Sequence, residues 1–225
     1  MDGMMNRKWQ VCLLSGKKNM NNWLQEWMWG HEKVLYVSYT QFFMISLAQE
    51  LCSGRPEMFC DEAWLSDFYE SLHREGFQDI CCDVLTRCAR KGIFFNFSDM
   101  GQKARIMSTA QYKSMRARPG IPIITFATST IMYGVNLPAD LLILGNLRWP
   151  RFKDKWGELD FTYLSSFEMH NITGRVGRYG VSSASVTPTI VLCGQRPLRW
   201  QRVYWEYSKE CRQVVQMLSL PETRD

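Results

Sequence analysis

Short apolar segments alternate with amphipathic helical patterns along most of this chain of 225 residues. Segments that are rich in β-branched and aromatic residues predict strands at residues 34–38, 93–97, 121–126, 141–145 and 189–193. Apolar residues at helical spacing predict helices at residues 41–52, 61–74, 77–90, 103–115, 160–172 and 198–217. Such alternation favours an α/β fold in which helices flank a parallel β-sheet.

The composition excludes several classes of protein. Hydrophobic residues make up 46% of the chain, which argues against a disordered tail. The net charge of +5 is too modest to indicate a nucleic-acid partner by itself. The eight cysteines contain no CxxC pair and the three histidines lack the spacing of zinc ligands, so we predict free thiols and no metal site.

The longest uncharged stretch, residues 119–139, does not predict a membrane span. It contains prolines, Gly120, Gly134, several Thr and Ser residues and Asn136, which favour a strand followed by a loop. No apolar run of signal-peptide length lies near the N-terminus. The sequence therefore predicts a soluble intracellular protein, cytoplasmic or nuclear, without a membrane partner.

Two segments have the composition of phosphate-handling loops. Residues 126–139 (FATSTIMYGVNLPA) follow a predicted strand, and ligands of open α/β sheets bind beyond the carboxyl ends of such strands. Residues 171–178 (NITGRVGR) carry Arg175 and Arg178, which would project from one helical face toward a single phosphoryl group. A surface loop with two solvated arginines is the other interpretation of this octapeptide.

In order and spacing, these two segments resemble motifs V and VI of superfamily 2 helicases, specifically the superkiller-like DExH group. Residues 34–40 (VLYVSYT) resemble motif IV, and residues 92–98 (GIFFNFS) resemble the strand that precedes motif V. The resemblance covers about residues 33–194. It implies the second, C-terminal RecA-like domain of a helicase, with a parallel sheet flanked by helices.

The resemblance also implies roles for individual residues. It makes Arg178 the arginine finger of an ATP site and Arg175 its partner, a role in which an arginine neutralises transition-state charge. It assigns Gly134, Asn136, Asn171 and Gly174 to ATP binding, and Ser38, Thr128 and Thr130 to nucleic-acid binding. For any single Thr or Ser here, capping of a loop remains an equally open interpretation.

Three residues depart from the pattern of the family. Asn171 replaces the glutamine that usually opens motif VI, Val176 replaces the alanine between the two arginines, and Asn96 replaces a histidine often found before motif V. The side chain of Asn171 keeps the amide but is shorter by one methylene. Neither arginine is lost.

The first half of such an ATP site has no match in the chain. Residues 15–18 (SGKK) lack the Ser or Thr and the earlier glycine of a phosphate loop, and residues 60–64 (CDEAW) lie after motif IV, where a helix N-terminus explains their acids better. ATP would therefore be shared with a separate N-terminal RecA-like domain that holds most of the Mg²⁺ contacts. The chain alone is not expected to be an active ATPase.

Two functions from different classes remain open on the sequence. One is the C-terminal domain of an ATP-dependent helicase acting on single-stranded RNA or DNA; the other is a helicase-derived nucleic-acid-binding or scaffold module without ATPase activity. We divide the chain into an N-terminal extension or linker (1–32), a RecA-like domain (33–195) and a C-terminal helical extension (196–225). Residues 148–156 (RWPRFKDKW) suit either base stacking or a solvated loop with packed tryptophans.

Overall fold

A six-stranded parallel sheet forms the centre of the computed structural model of this protein. The structure describes residues 8–11, 28, 30–128, 131, 137–146, 148–152, 159–174 and 189–192. Its strands, in chain order, are β1 (Lys8–Val11), β2 (Lys33–Val37), β3 (Ile93–Asn96), β4 (Ile123–Ala127), β5 (Leu141–Leu144) and β8 (Thr189–Leu192). They lie in the spatial order β1-β8-β5-β2-β4-β3, and every neighbouring pair is parallel.

Helices connect and flank these strands, which gives the α/β RecA-like arrangement expected of a helicase C-terminal domain. They are α1 (Gln41–Cys52), α2 (Glu62–Arg74), α3 (Asp79–Arg90), α4 (Gly101–Ser114) and α5 (Ser166–Thr173). A short 3₁₀ turn, Ser98–Met100, precedes α4. The predicted fold class is therefore confirmed.

Burial on both faces explains why the central strands are almost continuously apolar. All residues of β2, β3, β4 and β5 are buried. Aromatic rings bridge neighbouring strands, with Phe126 lying 5.3 Å from Tyr36 and 5.8 Å from Phe95 between ring centroids. These contacts fix the carboxyl ends of β2, β3 and β4 side by side.

The start of α2 shows what the two acids of residues 60–64 do. The carboxylate of Asp61 accepts a hydrogen bond of 3.0 Å from the Trp64 amide, and Glu62 lies in the first turn. Both acids therefore act as helix N-terminal residues, which stabilise the helix dipole and its unpaired amides. The capping interpretation is confirmed, whereas residues 15–18 lie outside the described residues.

The predicted helix at residues 160–172 is partly wrong. Residues Leu159–Tyr163 form β7, which pairs antiparallel with β6 (Arg148–Phe152) in a separate two-stranded sheet. The helix begins only at Ser166, because Ser165 and Glu168 form a capping box: the Glu168 amide donates to Ser165 Oγ (3.3 Å), and the Ser165 amide donates to Glu168 Oε2 (2.9 Å). The predicted helix at 198–217 lies outside the described residues.

The hairpin of β6 and β7 shows the role of Trp149, one of the two tryptophans of residues 148–156. Trp149 is only 5% exposed, and its indole N–H donates to the carbonyl of Asn146 at 3.0 Å. Its ring and that of Phe161 both contact Tyr39, at centroid distances of 6.3 and 5.6 Å. Trp149 is thus a packed residue, as the second interpretation of this segment expected, while Trp156 lies outside the described residues.

Strand β1 was not predicted from the sequence. It adds residues Lys8–Val11 to the edge of the sheet beside β8, in register Lys8 with Thr189. The proposed division of the chain at residues 32 and 195 stays a prediction.

Candidate functional site at the carboxyl edge of the sheet

The carboxyl ends of three adjacent strands bring polar residues together at one edge of the sheet. Asn146 follows β5, Ser38 follows β2 and Thr128 follows β4, and these strands are neighbours in the order β5-β2-β4. The Ser38 amide donates to the Ala127 carbonyl at 3.2 Å. The structure therefore places the predicted residues Ser38 and Thr128 beside each other, and adds Asn146 to the same row.

Ser38 is fully buried and its hydroxyl is engaged by the protein itself. The hydroxyl donates to Oδ1 of Asn146 at 2.5 Å and accepts a hydrogen bond from the Thr40 amide at 3.3 Å. Since the next residue, Gln41, begins α1, this second bond supports the entry into that helix. Ser38 thus joins the end of β2 to both α1 and the residue that follows β5.

Thr128 keeps hydrogen-bonding capacity that the described residues do not use. Its amide donates to the Asn96 carbonyl at 3.3 Å, and its carbonyl accepts from the Ile131 amide at 3.2 Å. Within the ranges that the structure describes, its buried Oγ1 has no hydrogen-bond partner. A buried hydroxyl without a partner is costly, which is a reason to expect a ligand or another group there.

Asn146 is held at the edge by backbone as well as by side-chain contacts. The preceding amide, that of Gly145, donates to the Val37 carbonyl at 2.8 Å, and the Asn146 carbonyl accepts from Trp149. A Cβ at position 145 would collide with the phenol of Tyr36, so this turn requires glycine. Sequence reasoning missed Asn146, although a Gly-Asn pair directly after an apolar strand was a usable signal.

Helix α5 leads into the segment that resembles motif VI. Its residues Ile172 and Thr173 are buried, whereas Asn171 and Gly174, both predicted to bind ATP, are partly exposed at the end of the helix. The remaining predicted site residues lie outside the described residues: Gly134, Asn136, Thr130, Arg175 and Arg178. The structure therefore positions the helix that would present the arginines, but it does not test the arginines themselves.

The opposite, amino edge of the sheet carries a buried charged cluster. Asp140, just before β5, accepts hydrogen bonds of 2.7 Å from the backbone amides of Glu32 and Lys33. The ammonium of Lys33 donates to the carbonyls of Tyr112 (3.0 Å) and Lys113 (2.6 Å). These bonds tie β2, β5 and the end of α4 together.

Burial determines the direction of every pKa shift in this cluster. It raises the pKa of Asp140, although the hydrogen bonds from the two backbone amides oppose the rise. It lowers the pKa of Lys33 and that of His31, and the Asp140 charge opposes both changes. Because these groups lie at the amino edge, away from the carboxyl edge where α/β sheets bind ligands, the cluster is structural.

The described cysteines, at positions 52, 60, 81, 82 and 88, are free, as the sequence predicts. Cys52 and Cys88 lie together between α1 and α3, and the hydrogen bond from the Cys88 thiol lowers the pKa of Cys52 to about 6. In the described ranges, no group of three His, Cys, Asp or Glu side chains could hold a metal ion. Among the same residues, no helix is both long and apolar enough to span a membrane.

The fold and this edge define a RecA-like α/β domain, and comparison with known proteins agrees with a helicase origin. No protein-family model matches the chain. Two proteins named ATP-dependent DNA helicase Hel308 are similar to it over 98 residues, or 44% of this chain: that of Thermoplasma acidophilum is 28% identical and that of Thermoplasma volcanium 29%. The match covers 13% of each relative. The chain is thus distantly related to a helicase.

Proposed function

We propose that this chain is the C-terminal RecA-like domain of an ATP-dependent superfamily 2 helicase of the DExH group. The observation that carries the proposal is the row of Ser38, Thr128 and Asn146 at the carboxyl edge of a parallel RecA-like sheet. In this row the Thr128 hydroxyl and the Asn146 NH₂ group keep hydrogen-bonding capacity, which suits contact with the sugar-phosphate backbone independent of base sequence. The Ser38 hydroxyl is already engaged by the protein. The distant similarity to Hel308 helicases supports the same function.

In this proposal the ATP site is formed by two domains. Gly134, Asn136, Asn171 and Gly174 of this chain would hold the nucleotide, and Arg178, with Arg175, would approach its γ-phosphate. ATP would bind with Mg²⁺, which a separate N-terminal RecA-like domain would mainly hold, and its γ-phosphoryl group would be transferred to water. Such an arginine accounts for roughly 10³- to 10⁵-fold in rate in nucleotide hydrolases. Single-stranded RNA or DNA would bind at the carboxyl edge.

The test reconstitutes the shared site. The chain is mixed with a RecA-like domain that carries a phosphate loop and a DExH box, and ATP hydrolysis is measured with and without single-stranded nucleic acid. We expect activity only in the mixture, and a loss of at least about 10³-fold on Arg178→Ala. Arg74→Ala, at an exposed position on α2, is the matched control and should leave the rate unchanged. An active mixture that is indifferent to Arg178→Ala would disprove the finger assignment.

A scaffold function remains the second candidate, because large apolar side chains are exposed near the same edge. Phe42, at the start of α1, is 83% exposed, and Phe167, in the first turn of α5, is 69% exposed. Exposed aromatic residues of this size are typical of protein interfaces. The salt dependence of binding separates the two functions, because contact with single-stranded phosphates predicts a log–log slope near −0.7 per contact and protein docking does not.

A further inference from the structure

The side-chain amide of Asn146, at the carboxyl edge, is held in one orientation and has no assigned role so far. The Ser38 hydroxyl accepts from the Thr40 amide, so its hydrogen is available for Asn146, and it donates to Oδ1 at 2.5 Å. This bond orients the side-chain amide of Asn146 with its oxygen toward Ser38 and its NH₂ group away from it. Within the part of the chain that the structure describes, no acceptor binds this NH₂ group.

The position of Asn146 makes its NH₂ group a donor for a ligand rather than a structural contact. Asn146 is only partly buried, and its side-chain oxygen and backbone carbonyl are both occupied by the protein, which leaves the NH₂ group as a donor unused by the described residues. The turn that carries Asn146 is anchored to β2, because the Gly145 amide donates to the Val37 carbonyl at 2.8 Å. An amide held in this way loses little conformational entropy when it binds.

Asn146 and Thr128 lie two strands apart along the carboxyl edge. Strand β2 lies between β5 and β4, and neighbouring strands are about 4.8 Å apart, so the two residues are separated by roughly 10 Å. A strand of nucleic acid laid across the strand ends would pass Thr128 and Asn146 in succession.

We infer that Asn146 is a nucleic-acid-binding residue, whose side-chain NH₂ group donates to a phosphodiester oxygen of a single strand lying across the carboxyl edge. Ser38 is its positioning residue, because it holds the amide oxygen. The inference rests on the proposed function, and it adds a backbone contact on the β5 side of the predicted contacts Ser38 and Thr128. The contact is neutral, so it adds affinity without releasing a counterion.

The experiment measures binding of the full chain to fluorescein-labelled (dT)₂₀ and (rU)₂₀ by anisotropy at low salt. Asn146→Ala removes the donor and should weaken binding roughly 3- to 10-fold, with the salt slope unchanged. Asn146→Asp keeps an oxygen for Ser38 but turns a negative charge toward the phosphate, and should weaken binding more than about 10-fold. Thermal unfolding checks that each variant is folded.

Gln49→Glu is the matched control, because it makes the same change of charge at an exposed position near the other end of α1. It should change affinity less than about 2-fold. Equal affinities for the wild type, Asn146→Ala and Asn146→Asp would overturn the inference while leaving the proposed function standing. No binding by the wild type would instead overturn nucleic-acid binding by this edge, and with it the inference. If Asn146→Asp fails to fold, Asn146→Ala carries the test.

Discussion

The two edges of the sheet use polar groups in opposite ways. At the amino edge, both oxygens of the Asp140 carboxylate and the ammonium of Lys33 are bonded to backbone groups of other elements. At the carboxyl edge, the Thr128 hydroxyl and the Asn146 amide nitrogen have no partner among the described residues. Asp140 and Lys33 at the amino edge therefore stabilise the fold, whereas Thr128 and Asn146 at the carboxyl edge keep donors for a ligand. Substitutions at the two edges should separate stability from binding.

Asp140→Ala should have the largest effect of all on stability. It leaves the partly buried amide of Glu32 and the buried amide of Lys33 without an acceptor, and the Lys33 ammonium without its nearby negative charge. We expect a loss of about 3 to 5 kcal/mol in the free energy of unfolding, measured in urea. The fraction that remains folded should bind (dT)₂₀ as the wild type does.

The control for this substitution is Asp67→Ala. Asp67 forms an ion pair with Lys103, and both side chains are about half exposed. Removing Asp67 should therefore lower the free energy of unfolding by less than about 1 kcal/mol. Equal losses for Asp67→Ala and Asp140→Ala would contradict a structural role that is special to the amino edge.

Ser38→Ala should, in contrast, affect nucleic-acid binding more than stability. The variant loses the hydrogen bonds to Asn146 and Thr40, two partly exposed residues, and its free energy of unfolding should fall by only about 1 kcal/mol. Binding of (dT)₂₀ should nevertheless weaken roughly 3-fold, because the Asn146 amide is no longer held in one orientation. Ser114→Ala removes a single exposed hydroxyl bond on α4 and serves as the control. A variant that loses stability but no affinity would show that Ser38 is a structural residue only.

His31→Gln should have the smallest effect, visible only in the dependence of stability on pH. Burial lowers the pKa of His31 below its usual 6.5, so near and below that pH the folded protein binds fewer protons than the unfolded chain. The wild type should therefore lose stability as the pH falls through 6.5 toward the lowered pKa, and His31→Gln should lose less.

Urea unfolding at pH 7.5 and pH 5.5 measures this difference. The raised pKa of Asp140 acts in the opposite direction on acidification, and the charge of His31 opposes that rise. Removing His31 therefore raises the pKa of Asp140 further, which also makes His31→Gln lose less stability in acid than the wild type. Parallel pH profiles for the two proteins would refute the effect.

The elements that could be predicted from the sequence are those whose own residues show the pattern of a strand or a helix. Strands β2 to β5 are apolar on both faces, and helices α1 to α4 show helical periodicity, so each could be recognised without its neighbours. The helix predicted at 160–172 was wrong at its start because the capping box at Ser165 was overlooked. Strand β6 contains Pro150 and basic residues, which are unusual in strands outside an isolated hairpin.

The candidate site was only half predictable for a different reason. Motif resemblance singled out Ser38 and Thr128, and the structure places them side by side. Asn146 carries no motif, and its relation to Ser38 exists only because β5 lies next to β2, which the order of elements in the chain does not reveal. Strand order is a property of the whole sheet, so residues that depend on it are the hardest to find from sequence.

The pairing of β1 with β8 has a consequence for how the protein folds. Its partners, such as Lys8 and Thr189, lie roughly 180 positions apart in the chain, and among the described strands β1 contacts β8 alone. Closing so large a loop carries a cost in chain entropy. In the sheet, β1 covers one edge of β8 while β5 pairs with the other. Without β1, β8 would present an open edge with which another chain could pair.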